Sequence, residues 1–104
     1  MKIFISQPMR NKTNVEIFKE RDKIMNELQK QFGLDTEFLF SIKHLDVENN
    51  INNIPVYHLS KAIELLSKAD LAYFAKGWTN ARGCLIEHQI CNDYNINIIF
   101  EALK

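Results

Sequence analysis

With 104 residues, the chain is long enough for one domain with a modest core and too short for two, so a single domain over residues 1–104 is expected. Thirteen basic and thirteen acidic residues cancel, which argues against a nucleic-acid polymer or a membrane surface as partner and favours a small molecule. Cys84 and Cys91 are about 10 Å apart along one helix and cannot bridge each other, no apolar run approaches a membrane span, and a strand follows Met1 at once. These features lead us to expect a reduced, cytoplasmic protein without a targeting segment.

Lys2 to Ser6 (KIFIS) is an apolar, β-branched and aromatic run ended by Gln7-Pro8, and it predicts a buried strand. Thr13 and Glu16 have the spacing of a capping box and open a helix to about Phe32, with Gly33 as its stop. Phe18, Arg21, Met25, Leu28 and Phe32 fall on one face of that helix, with Ile17 and Ile24 beside them.

Glu37 to Ile42 predicts a second strand. His44 to Val56, rich in asparagine and ending at Ile54-Pro55, reads as a loop. Leu59, Ile63 and Leu66 place a helix over Tyr57 to Lys68, followed by a strand from Leu71 to Ala75. A last helix from about Ala81 to Tyr94 leads into the strand Ile96 to Phe100.

This βαβαβαβ order predicts a flavodoxin/Rossmann-like α/β fold, with a four-stranded parallel sheet in the order 2-1-3-4 and helices on both faces. In such a sheet a ligand crevice lies at the switch point, here where Ser6 to Lys12 leaves the first strand and Lys76 to Gly83 leaves the third.

The first loop, with Ser6, Gln7, Pro8, Met9, Arg10 and Lys12, sets two cations beside a helix N-terminus and suits an anion such as phosphate, or else is a solvated basic turn. It lacks the glycines of a P-loop or a dinucleotide fingerprint. The second loop carries Gly77 and Gly83 for close approach, Asn80 and Arg82 for orientation, and Trp78, which either stacks on a planar ring or packs against a neighbouring element.

Glu87 is the unusual residue of the last helix. Its three- and four-residue neighbours are Gly83, Cys84, Ile90 and Cys91, none of them cationic, so a carboxylate on the sheet-facing stripe would have a raised pKa and suit nucleophilic or acid/base work. A solvent-facing glutamate is the plain alternative. His44, His58 and His88 are scattered without ligand spacing, so neither a metal nor another cofactor is expected.

The opening KIFISQPMRNK, the Lys68-Ala69-Asp70 strand entry, Gly77-Trp78, and Arg82 through His88 together resemble the nucleoside 2-deoxyribosyltransferase-like superfamily. That group includes the deoxynucleoside 5'-monophosphate N-glycosidases, and the chain is most similar to small phage and bacterial proteins within it. The resemblance implies that Glu87 attacks the anomeric carbon of a nucleotide sugar or stabilises its oxocarbenium-like transition state. It also implies that Met9, Arg10 and Lys12 hold the phosphate and that Trp78 lies near the base or sugar.

Gly83 and Glu87 keep the spacing of the characterised transferases. Cys84 stands at their threonine position, Ala81 at their aspartate position, and Ala62 where the preceding helix carries an acid. The proton donor for the base is left among Tyr57, His58 and Ser60. The expected function is therefore nucleotide N-glycosidase or deoxyribosyltransferase-like chemistry, the alternative being a nucleotide-binding protein that does not cleave its ligand. A homodimer or larger homo-oligomer is expected on either reading.

Overall fold

The computed structural model describes residues 1–41 and 50–102. The elements run β1 (Lys2–Ser6), α1 (Asn14–Phe32), β2 (Glu37–Leu39), α2 (Ile54–Leu66), β3 (Leu71–Phe74), α3 (Arg82–Asp93) and β4 (Ile98–Phe100), with a 3-10 turn at Trp78–Asn80. The sheet is four-stranded in the order β2-β1-β3-β4, and every pairing is parallel. The expected α/β fold and strand order are what the chain adopts.

Side-chain alternation along the central strands sorts the core into two layers. Ile3 and Ile5 of β1, with Leu71, Tyr73 and Ala75 at β3, pack on Ile24 and Leu28 of α1. Phe4, Ala72 and Phe74 point the other way, onto Ala62 and Leu66 of α2 and Cys91 of α3. Ile3, Phe4 and Ile5 are essentially inaccessible, and burial of such a side chain stabilises by roughly 1.5–3 kcal/mol. β1 is therefore pinned at the centre from both sides.

The capping box forms as expected. The Glu16 amide donates to Thr13 Oγ1 at 3.2 Å, and the Thr13 amide to Glu16 Oε1 at 3.3 Å. At the other end, Gly33 takes φ 109° and its N–H reaches Gln29 O at 2.8 Å. The buried stripe of α1 differs from the expected one. Ile17, Arg21, Ile24 and Leu28 are inside, whereas Phe18 is 55% exposed, because the helix is rotated to centre the isoleucines over β1.

α2 starts earlier than the loop reading allowed. Asn53 caps it by accepting the Val56 amide at 3.1 Å, and Ile54-Pro55 form its first turn, where a proline's missing N–H costs nothing. Ala62 and Leu66 face inward from α2, whereas Ile63, expected on the same stripe, faces outward. β4 begins at Ile98 rather than Ile96, after a turn through Asn95 at φ 59°. β2 ends at Leu39, so Phe40 and Ser41 fall outside the strand expected from Glu37 to Ile42; Ile42 itself and the His44 end of the following loop lie outside the described residues.

Candidate functional site

Ser6 is the last residue of β1 and shares the face of Phe4, where the alternation would otherwise continue an apolar row toward α3. Opposite it stands Glu87, on the inward stripe of α3 with Cys84 and Cys91. The Ser6 hydroxyl donates to Glu87 Oε1 at 2.6 Å, and the two residues are 1% and 6% exposed. Ser6 is the one hydrogen-bond partner of Glu87 among the described residues. The carboxylate thus keeps one oxygen fixed and a second without a donor among the described residues.

Burial pushes the Glu87 carboxyl up to about 7, and the Ser6 hydrogen bond draws it partly back. It is therefore a mixture of acid and carboxylate near neutrality. The same burial raises the Cys84 thiol to about 11 and the Cys91 thiol to about 11, with the Glu87 charge adding to both. Neither sulfur is a thiolate at neutral pH, which leaves Glu87 as the reactive side chain of this stripe.

The two loops expected to flank a crevice do meet. Pro8 of the first lies beside Gly77 of the second, with Pro8 Cγ 3.7 Å from where a Gly77 Cβ would stand, and Gly77 itself takes φ 88°. The first loop turns through Met9 and Lys12, with Asn11 at φ 63°, a left-handed position that asparagine tolerates. Arg82 opens α3 and is exposed, and Asn80 closes the 3-10 turn. Gly83 is exposed, and the space a Cβ would take has no atom within 4 Å. Open volume therefore lies one helical turn before Glu87.

The basic loop is less available than its sequence implied. Glu20 of α1 holds Lys12 at 2.9 and 3.0 Å, although the Lys12 charge still acts on Cys84 at the start of α3. Gln7 is structural in this state. Its amide donates to Ile17 O at 3.0 Å and to Glu20 Oε2 at 3.3 Å, while its Oε1 accepts from Arg21 Nε at 3.2 Å. The start of α1 is occupied by its own capping box, and Arg10 extends into solvent.

Arg21 is 4% exposed, and its guanidinium lies over the Phe40 ring at 4.2 Å and donates to Ser41 O at 3.4 Å. Desolvation lowers its pKa, with Asp22 opposing.

Trp78 is packed against its neighbours. Its ring stacks on His88 at 4.4 Å and on Phe100 at 5.4 Å, with Phe74 at 5.5 Å. Two cavities open at this edge of the sheet. One, of about 330 Å³, lies on the α1 side and includes Lys12, Lys23, Ala75 and Lys76; the other, of about 380 Å³, includes Phe74, Trp78 and Phe100. Lys76 and Glu101 border both, and Glu87 borders neither.

Lys76, the first residue of the second crevice loop, and His88, Phe100, Glu20 and Glu101 also stand at this edge, although the sequence assigns none of them a binding role; of these only Lys76 carries a signal, as the first charged residue beyond a buried strand.

Of the α2 donor candidates, the Ser60 hydroxyl is committed to Tyr57 O at 2.6 Å, Tyr57 lies near the Lys61 ammonium, and His58 Nδ1 is buried without a partner among the described residues. Ala62 is 3% exposed inside the apolar layer, and Ala81 precedes α3 without a side-chain cap. No group of three or more metal-ligating side chains occurs among the described residues, and no described helix is long and apolar enough to cross a membrane.

The fold and the site define a parallel α/β protein with a buried, serine-anchored carboxyl group at the C-terminal edge of its sheet. No protein-family model matches the chain, and no curated protein is significantly similar to it.

Proposed function

We propose that the protein is a nucleotide N-glycosidase or deoxyribosyltransferase-like enzyme that cleaves the base–sugar bond of a small phosphorylated nucleoside through Glu87. The observation that supports this reading is the buried Ser6–Glu87 pair at the switch-point edge. Ser6 fixes Oε1, so the other oxygen is free to approach an anomeric carbon. In the ionised form, Glu87 forms a bond to that carbon as the C–N bond breaks, and the electron pair leaves with the base. Water, or a second free base, then attacks the anomeric carbon and displaces the carboxylate, losing its proton as the new bond forms.

The proton for the departing base comes from a group other than Glu87, with half-buried His58, whose Nδ1 has no partner among the described residues, the candidate on α2. The same reading includes a cytoplasmic setting and self-association, for which Tyr94 and Phe100 offer exposed aromatic surface.

Incubation with a panel of nucleoside monophosphates, followed by chromatography, tests this directly. Free base is expected from the wild type and none from Glu87→Gln. Absence of base from every member of the panel overturns the reading.

A specific observation favours a second reading, binding without cleavage. Glycosidic cleavage ordinarily uses a pair of carboxyl groups, but Ala62 fills apolar core and Ala81 supplies no acid, so Glu87 stands without a carboxylate partner at either position. On this reading a nucleotide at a hundred times its dissociation constant adds about 2.7 kcal/mol of stability and is recovered intact after heat denaturation.

A further inference from the structure

We infer that the chain pairs with a second copy of itself through β4, antiparallel across a two-fold axis at Ile99, so that the two four-stranded sheets join into one. This specifies the self-association included in the proposed function and rests on that part of it alone, not on the chemistry of Glu87.

The two edges of the sheet are unlike. β2 carries the exposed Glu37, a charge of the kind that keeps an edge from pairing. β4 reads Ile98-Ile99-Phe100, apolar residues of high strand propensity with no charge among them. Ile99 packs on the α1 layer of the core and Ile98 on the opposite layer, so both faces of β4 are covered. Its outer backbone edge is not, because β3 is its one strand neighbour among the described residues.

The register decides which groups stand on that edge. Asn97 O accepts from the Ala72 amide at 2.9 Å, the Glu101 amide donates to Phe74 O at 2.9 Å, and Ile99 is aligned on Tyr73 between them. Alternate residues of a strand point their N–H and C=O to the same side. Asn97, Ile99 and Glu101 therefore face β3, and the N–H and C=O of Ile98 and Phe100 face outward.

An axis at Ile99 sets Ile98 opposite the partner's Phe100, and Phe100 opposite the partner's Ile98. Each pair exchanges both backbone hydrogen bonds, which satisfies every outward group of the strand. The same register is complementary in side chains. Ile99 meets its own copy, Ile98 meets an aromatic ring, and Asn97 meets the partner's Glu101, an amide beside a carboxylate with no like charges opposed. The occupant is a second copy because the strand makes each of these pairs with itself. Phe100 is half-exposed, and so is Leu85, one helical turn before the His88 ring that lies against Phe100. Both add apolar area beside the axis.

Analytical ultracentrifugation over a range of concentrations gives the assembly state, and amide hydrogen exchange followed by NMR locates the contact. A monomer–dimer equilibrium is expected, with the Ile98 and Phe100 amides gaining protection as concentration rises. Asn97→Glu, at an exposed position, opposes like charges at both ends of the paired strands and is expected to weaken the dimer about tenfold. Adding Glu101→Lys to it makes both pairs attractive and should restore the affinity.

A monomer at every concentration, a dimer whose Ile98 and Phe100 amides stay unprotected, or a dimer indifferent to Asn97→Glu overturns the pairing. Base release is measured on the same samples. Release by a monomer upholds the glycosidase reading while the pairing falls, and a protected dimer that releases no base does the reverse.

Discussion

The Ser6 hydroxyl and Glu87 Oε1, 81 positions apart in sequence, lie 2.6 Å from each other with no other hydrogen-bond partner for the carboxyl group among the described residues. The contact joins the end of β1 to the middle of α3. It places a titrating group where helix and sheet would otherwise close in apolar contact, and it makes the stability of the fold depend on pH.

The sign of that dependence follows from the raised carboxyl pKa. Glu87 titrates near its ordinary 4.5 when unfolded and at about 7 when folded. Below both values the group is protonated in each state and costs nothing. Between them the folded protein holds a proton that the unfolded chain has released, so stability falls as pH rises through this window. It levels off above about 7, after a loss on the order of 3 kcal/mol. Urea denaturation at about pH 5 and about pH 8 is expected to show this decline, and Glu87→Gln, which keeps an acceptor for Ser6, should flatten it.

Removing the serine hydroxyl moves the carboxyl further in the same direction. The Ser6 bond is the influence that opposes desolvation, so Ser6→Ala is expected to raise the Glu87 pKa above its wild-type value. Carbon-13 NMR of the labelled glutamate carboxyl would record the shift. If Glu87 reacts as proposed, the ascending limb of the base-release profile moves to higher pH with it.

Gln7 supports the β1–α1 loop more than Lys12 does. The Lys12–Glu20 pair has side chains 27% and 41% exposed, so Glu20→Gln should cost no more than about 1 kcal/mol. Gln7→Leu removes the acceptor of a buried guanidinium, and the expected loss is on the order of 2–3 kcal/mol. Urea midpoints of the two variants would reverse in rank if the loop were held mainly by its ion pair.

Gly77 and Gly83 should respond in opposite ways to alanine. At Gly77 the added Cβ meets only an ordinary contact with Pro8, but φ 88° is unfavourable for alanine, and a loss of about 1 kcal/mol is expected. Gly83 is helical with open space around it, so Gly83→Ala should stabilise by about 0.5 kcal/mol. On the proposed function the same methyl narrows the approach to Glu87, so base release should fall while the melting temperature rises.

Much of the fold was legible because its signals are local. KIFIS ended by Gln-Pro, the Thr13–Glu16 box and the Gly33 stop each carry their structural reason within a few residues, and strict alternation of strand and helix leaves few ways to order a parallel sheet. The start of α2 is hidden in sequence because Asn53 closes an asparagine-rich stretch with loop composition, although its side chain is the cap. The rotation of α1, which exposed Phe18, depended on which hydrophobic residues β1 presents to it.

Glu87 could be singled out from sequence because an acid without a cationic neighbour sits on an apolar helical stripe. Its partner could not. Only the alternation of β1 against the phase of α3 decides that Ser6, rather than Gln7, faces the carboxyl, and only packing decides that Trp78 stacks on His88 and Phe100 instead of standing open. Sequence by itself determined the elements, their order and the odd carboxylate, since these follow from periodicity and capping. Tertiary structure alone decided the hydrogen bond that orients that carboxylate and the burial that raises its pKa, because both arise between segments brought together by the β1–β3 pairing and the packing of α3 on it.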